Sequence, residues 1–169
     1  MIFIGGASGT GKTTFLERFV NRHPSFSHAR ASTILKNHGR PTYLTSAEEF
    51  EENQRVLRRF LVDTNLSAKT LLDGHMVVRA GRQLLSVPDS FFDGLRVTAF
   101  VFLWTEAWRI CARKCKSPEI IEEADIHELQ QVEFAHMHAA AARTGRPIEC
   151  FNSMQVFEIE QALLQYGLA

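Results

Sequence analysis

The stretch Ile2-Phe3-Ile4-Gly5-Gly6-Ala7-Ser8-Gly9-Thr10-Gly11-Lys12-Thr13-Thr14 constrains the fold more than any other part of the chain. An apolar run, a glycine-rich loop and a helix start follow one another, and Gly6 to Thr13 match G-x-x-x-x-G-K-[ST]. Gly6, Gly9 and Gly11 open backbone dihedrals closed to other residues, so successive N–H groups can turn inward around a phosphate. Lys12 then supplies a point charge for β- and γ-phosphates, and Thr13 a hydroxyl for Mg²⁺. The positive end of the following helix dipole favours the remaining charge, with Thr14 able to donate nearby. The expected phosphate-binding set is Gly6, Ser8, Gly9, Thr10, Gly11, Lys12, Thr13 and Thr14.

A loop of this kind needs a sheet and covering helices, and the rest of the chain supplies the pattern for both. Phe15, Leu16, Phe19 and Val20 recur at helical spacing up to the stop at Pro24. After an extended piece near His28, Ser32 is placed to cap a brief helix through Lys36, and Asn37 to Pro41 reads as a turn-rich break. Ser46-Ala47-Glu48-Glu49 fits a capping box, with Phe50, Leu57, Phe60, Leu61 and Thr64 on one face of the long helix that follows. Lys69 to His75 is a short apolar strand ending in Asp73. In an open α/β sheet, that acid lies at the carboxyl edge beside the phosphate loop, where a second Mg²⁺-handling residue belongs. An Asp-Gly turn after a strand is the plainer alternative for the same residues.

Val77 to Leu95, with Arg79, Arg82, Pro88 and Asp89, reads as an irregular, partly helical connection. Val97 to Trp104 is a strand apolar throughout, hence covered on both faces. Thr105 is placed to cap the next helix, whose expected core face is Trp108, Cys111, Ala112 and Cys115. Arg109, Arg113 and Lys116 form a basic stripe that suits phosphate oxygens, a solvated face being the plainer alternative. Ser117-Pro118-Glu119 restarts the helix, so Cys115 to Ala124 is expected to hinge. The helix from Asp125 to Thr144 carries His127, His136 and His138, read as surface groups, because His136 and His138 are two apart and point different ways. Ile148 to Asn152 is the last strand, and Val156, Ile159, Leu163 and Leu164 mark a closing helix.

Composition narrows the partners. With 169 residues, 45% hydrophobic and 22% charged, the chain is expected to form one domain with its own core. Lys+Arg and Asp+Glu both number 19, so no global positive field recruits nucleic acid or an anionic membrane, and small-molecule partners are expected. Cys111, Cys115 and Cys150 lack paired metal spacing and suit reduced thiols. The start enters the first strand directly, and no apolar run approaches the roughly 18 residues of a membrane span. A cytoplasmic protein is expected; oligomeric state is not readable.

The Gly6 to Thr14 loop, the strand ending in Asp73-Gly74-His75, and Arg109 and Arg113 together resemble the P-loop nucleoside monophosphate kinase group, above all the short-lid archaeal type of adenylate kinase. The resemblance spans nearly the whole chain. It implies a three-layer α/β/α fold with a five-stranded parallel sheet, a substrate-binding segment at about 30–66 and a short helical lid at about 109–128. It also implies that Lys12 and Thr13 bind ATP and Mg²⁺, that Asp73 holds the metal shell, and that Arg109 and Arg113 stabilise the transferred phosphoryl group. Ser32, Gln54, His75 and Arg79 are the candidates for the acceptor. Ala7 stands where that group's loop often carries proline, and Ser32 to Gln54 holds no base-reading motif. The acceptor therefore stays open between a nucleoside monophosphate and a sugar acid or shikimate-like alcohol. A P-loop ATPase or switch module acting on a macromolecular partner is the third possibility.

Overall fold

The computed structural model describes residues 1–80, 83–114 and 122–168. Five parallel strands form one sheet in the order β2 (Ser27–Arg30), β3 (Thr70–Asp73), β1 (Ile2–Gly5), β6 (Ala99–Trp104) and β7 (Ile148–Asn152). β1 takes the centre because Ile2, Phe3 and Ile4 are apolar on both faces, as a strand between two helix layers requires. The period of two then divides the core. Ile2, Ile4, Leu71, Val101 and Leu103 meet α1 (Lys12–Arg22) and α6 (Val156–Tyr166) on one face. Phe3, Leu72, Phe100 and Phe102 meet α2 (Ala31–Asn37), α3 (Ala47–Thr64) and α5 (Glu123–Thr144) on the other. On that second face, Phe92 of a 3₁₀ helix, Asp89–Phe92, sets its ring edge-on to Phe3 and Phe100, with centroids 4.9 and 5.1 Å away. α4 (Ala107–Lys114) completes the elements on the β6 side.

Several local expectations are corrected. Val77 to Leu95 contains an antiparallel pair, β4 (Val77–Ala80) with β5 (Gln83–Ser86). Strands of four residues are too short to show a period, and the pairing of Val78 with Leu85 becomes visible only in register. Ser32 lies inside α2, whose cap position is Arg30 in an extended conformation. Ser46 does cap α3, accepting from Glu49 N–H at 3.3 Å, whereas the Glu49 carboxylate returns to Thr45 N–H at 2.8 Å. The buried face of α3 runs Phe50, Asn53, Leu57 and Leu61, and Thr64 is exposed. Thr105 does not cap α4; its hydroxyl goes to Glu106 and its backbone is held by α5. α4 turns Ala107 and Ile110 inward, leaving Trp108 53% exposed and Ala112 on the surface. Val156, expected in the α6 core face, is exposed. Arg82, Cys115, Lys116 and Ser117-Pro118-Glu119 lie outside the described residues, as does most of the expected hinge. Among the described residues, no helix is long and apolar enough to cross a membrane.

Candidate functional site

The loop after β1 turns sharply because its glycines sit at positive φ: +135° at Gly6, +97° at Gly9 and +99° at Gly11. Gly6 also allows a close approach, since a Cβ there would lie 2.1 Å from the Leu103 carbonyl oxygen of β6. The first turn of α1 then buries Lys12 at 5% exposure. Its ammonium folds back on the loop, donating to the Gly6 carbonyl and, at 3.4 Å, to the Ala7 carbonyl. Burial lowers the Lys12 pKa, while the charges of Glu133 and Asp73 act in the opposite sense.

Asp73 ends β3 at the carboxyl edge, in register with Ile4 of β1. Its Oδ2 accepts from the Thr13 hydroxyl at 2.6 Å and lies 3.5 Å from His28 Nε2 of β2. Burial alone would raise this carboxyl's pKa. The neighbouring His28 ring, the Lys12 charge and the Thr13 hydroxyl outweigh it and hold the group below its ordinary range.

The two arginines of α4 part company. Arg113 Nη1 donates to the Gly9 carbonyl at 2.6 Å, at the rim of the loop. Arg109, one turn earlier, pairs through Nε with Glu106 Oε2 at 3.1 Å and stacks over the Trp108 ring at 4.8 Å. The expectation that both reach the phosphate site is corrected for Arg109, whose guanidinium meets Glu106, the Trp108 ring and, through Nη1, the Met154 sulfur at 3.9 Å. Arg79 is corrected likewise: it is exposed on β4 and does not line the cavity described next.

A cavity of about 850 Å³ opens from the loop. Ser8 to Thr14, Asp73 and Arg113 line one part of it, and Ser32, Asn53, Gln54 and His75 another. The structure thus brings together every sequence-nominated residue except Arg109, Arg79 and Gly6, the last lying behind the cavity as a packing glycine.

Glu133 is the residue that sequence reasoning missed. It is fully buried on α5, and its Oε1 accepts from Gly6 N–H at 3.0 Å and Met76 N–H at 3.2 Å, with His75 Nδ1 3.4 Å away. Burial raises its pKa, but His75, Lys12 and the Gly6 N–H outweigh this and leave it lowered. A signal existed: Ile126, Gln130, Glu133, Met137 and Ala140 form a buried stripe at alternating spacings of four and three, and polar residues inside an apolar stripe need partners. Gln130, the other polar member, donates to the Thr105 carbonyl and accepts from its N–H, both at 3.1 Å.

These groups fit a nucleotide triphosphate with Mg²⁺. The hydroxyl of Thr13 and the carboxylate of Asp73 are hard oxygen donors side by side, and the buried Thr10 hydroxyl has no partner among the described residues. No cluster of three or more His, Cys, Asp or Glu side chains suited to a metal ion occurs among the described residues. A Mg²⁺ ion held by one or two protein oxygens and completed by phosphates and water needs none.

A family model described as an AAA domain matches residues 5–130. No curated protein matches the sequence. Solved structures do. Shikimate kinase from Acinetobacter baumannii in complex with shikimate is similar at 17% identity and a TM-score of 0.62, over 99% of this chain and 92% of that one. Shikimate kinase from Bacteroides thetaiotaomicron shows 17% identity and a TM-score of 0.59, over 97% and 96%. A sugar kinase from Janibacter sp. HTCC2649 shows 18% identity and a TM-score of 0.58, over 98% and 92%. At these identities the likeness is one of fold: an α/β sandwich with a five-stranded parallel sheet.

Proposed function

The chain belongs to the AAA domain family, and from that premise we propose that it is an ATP-dependent phosphotransferase that moves the γ-phosphoryl group of ATP to a small acceptor alcohol. The observation that carries this reading is one cavity running from the glycine loop, Lys12 and Arg113 to Ser32, Gln54 and His75. Donor and acceptor can thus meet in a shared space, and positioning with charge neutralisation supplies most of the catalysis in phosphoryl transfer. Residues of the 30–66 segment, and Arg113 from the 109–128 segment, border this space within what we take to be a single domain.

Loop N–H groups and Lys12 bind the phosphates, with Lys12 exchanging the Gly6 and Ala7 carbonyls for phosphate oxygens. Thr13 and Asp73 would hold Mg²⁺, which when bound neutralises phosphate charge. Arg113 presents a planar guanidinium beside the loop for the charge that spreads over the transferred group. The acceptor hydroxyl oxygen attacks phosphorus in line, the bond from phosphorus to the β–γ bridging oxygen breaks, ADP leaves, and the hydroxyl proton passes by way of a phosphoryl oxygen to water. Asp73→Asn keeps the shape of the carboxylate but loses its charge. The concentration of Mg²⁺ giving half-maximal turnover is therefore expected to rise by about 10- to 100-fold. Superimposable Mg²⁺ titrations of variant and parent would return Asp73 to the role of a turn residue.

The nucleoside monophosphate acceptor implied by the adenylate kinase resemblance is the narrower reading. The alcohol takes precedence because shikimate and sugar kinases are among the chains sharing this fold. A panel of nucleoside monophosphates, sugar acids, shikimate and other small alcohols, scored by acceptor-dependent ADP release, separates the two. ADP release that no acceptor changes would favour an ATPase or switch module instead.

A further inference from the structure

We propose that His28 is a positioning residue for the metal: from β2, its ring Nε2–H steadies the Asp73 carboxylate beside Thr13 and the phosphate loop. This rests on the reading of Thr13 and Asp73 as the pair that would hold Mg²⁺. β2 and β3 run parallel, with His28 opposite Leu71 and Arg30 opposite Asp73. Side chains alternate along a strand, so His28, Leu71 and Asp73 share one face of the sheet. Leu71 marks it as the face packed on α1, whose first turn carries Thr13. Ile4, Leu16, Phe19 and Leu71 are all fully buried there. A polar side chain set on such a face calls for a partner.

His28 has none in hand. Its side chain is 8% exposed, and Nε2 is buried without a hydrogen-bond partner among the described residues. The carboxylate oxygen it faces is Asp73 Oδ2, 3.5 Å away, too far for a well-formed hydrogen bond. The same oxygen accepts from the Thr13 hydroxyl at 2.6 Å. A small turn of the imidazole gives Asp73 a second donor, provided that the ring proton sits on Nε2. His28 does not line the cavity, so it acts through Asp73 rather than on a ligand. Donors to a metal-holding side chain fix its orientation, and losing one typically costs about 10- to 100-fold in metal affinity.

The probe is AMP-PNP, a non-hydrolysable ATP analogue, with its affinity measured by calorimetry in Mg²⁺ and in EDTA. His28→Phe keeps a flat ring and removes the donor. It is expected to cut the affinity gained from Mg²⁺ by about tenfold while leaving the metal-free affinity unchanged. His28→Gln, whose amide N–H reaches toward the place of Nε2, should restore most of that gain. In an Asp73→Asn background, His28→Phe should cost nothing further, because two residues acting through one contact are not additive. Equal gains from Mg²⁺ in His28→Phe and the parent overturn the inference. So does a loss that is the same with and without the metal, which would mark His28 as a packing residue. If Mg²⁺ leaves the parent's own affinity unchanged, the metal reading fails and the inference falls with it. Should His28→Phe not fold, the ring proton of the ¹⁵N-histidine-labelled parent decides. An Nε2–H tautomer whose signal moves when Mg²⁺ joins the AMP-PNP complex upholds the role, and an Nδ1–H tautomer or an unmoved signal overturns it.

Discussion

Lys12→Ala is expected to abolish acceptor-dependent phosphoryl transfer, lowering the single-turnover rate by about a thousandfold or more. A single preorganised donor to developing charge contributes on the order of 10²- to 10³-fold, and Lys12 also neutralises the ground-state triphosphate. Its burial complicates the experiment. Lys12 is 5% exposed, with the carboxylates of Glu133 and Asp73 acting on its charge, so truncation leaves those two anions without their cation. Lys12→Met is the companion variant, because it keeps the length and removes only the charge. Both should lose transfer alike, and circular dichroism with thermal melting checks that the sheet survives in at least the Met variant. A folded Lys12→Met protein turning over within a few-fold of the parent would end the phosphate-loop assignment.

The second large effect separates Arg113 from Arg109. Arg113→Lys keeps the charge at the Gly9 rim but loses the planar fork, so the transfer rate should fall by about 10²- to 10³-fold with a smaller change in ATP affinity. Arg109→Lys should stay within a few-fold, because that guanidinium is occupied by Glu106 and the Trp108 ring. The two variants remove the same chemical group one helical turn apart, so each controls for the other. Single-turnover rates measured beside equilibrium ATP binding keep ground-state binding from passing as transition-state loss. Equal losses in both variants would mean that Arg109 leaves its Glu106 contact during turnover.

Why the sequence resolves Lys12 and Thr13 but not the choice between the arginines is a matter of range. The loop is contiguous: strand, glycines and helix start are neighbours in the chain, so the spacing alone prescribes their geometry. Arg109 and Arg113 share a face by periodicity, and which of them meets the loop depends on how α4 is rotated. That rotation is decided by Ala107 and Ile110 packing inward rather than by Trp108, whose size suggests a core residue but whose ring ends at the surface under Arg109. Asp73 was legible because the edge rule for parallel sheets needs only the strand and its end. The β4–β5 pair was not, since two four-residue strands hold no measurable period. Glu133 hid among helix polar residues of ordinary appearance, and only the full stripe of α5 betrays it.

The bond from Gly6 N–H to Glu133 spans 127 residues of chain. A glycine loop that looks local in sequence is therefore closed by a helix from the last third of the molecule, and its final shape must wait for long-range docking. A growing chain that has made β1, α1 and even β3 holds the motif without the buried carboxylate that orients its first peptide. That bond exists only with α5 docked, and the same helix holds the Thr105 backbone through Gln130, so the loop and the end of β6 share one clasp.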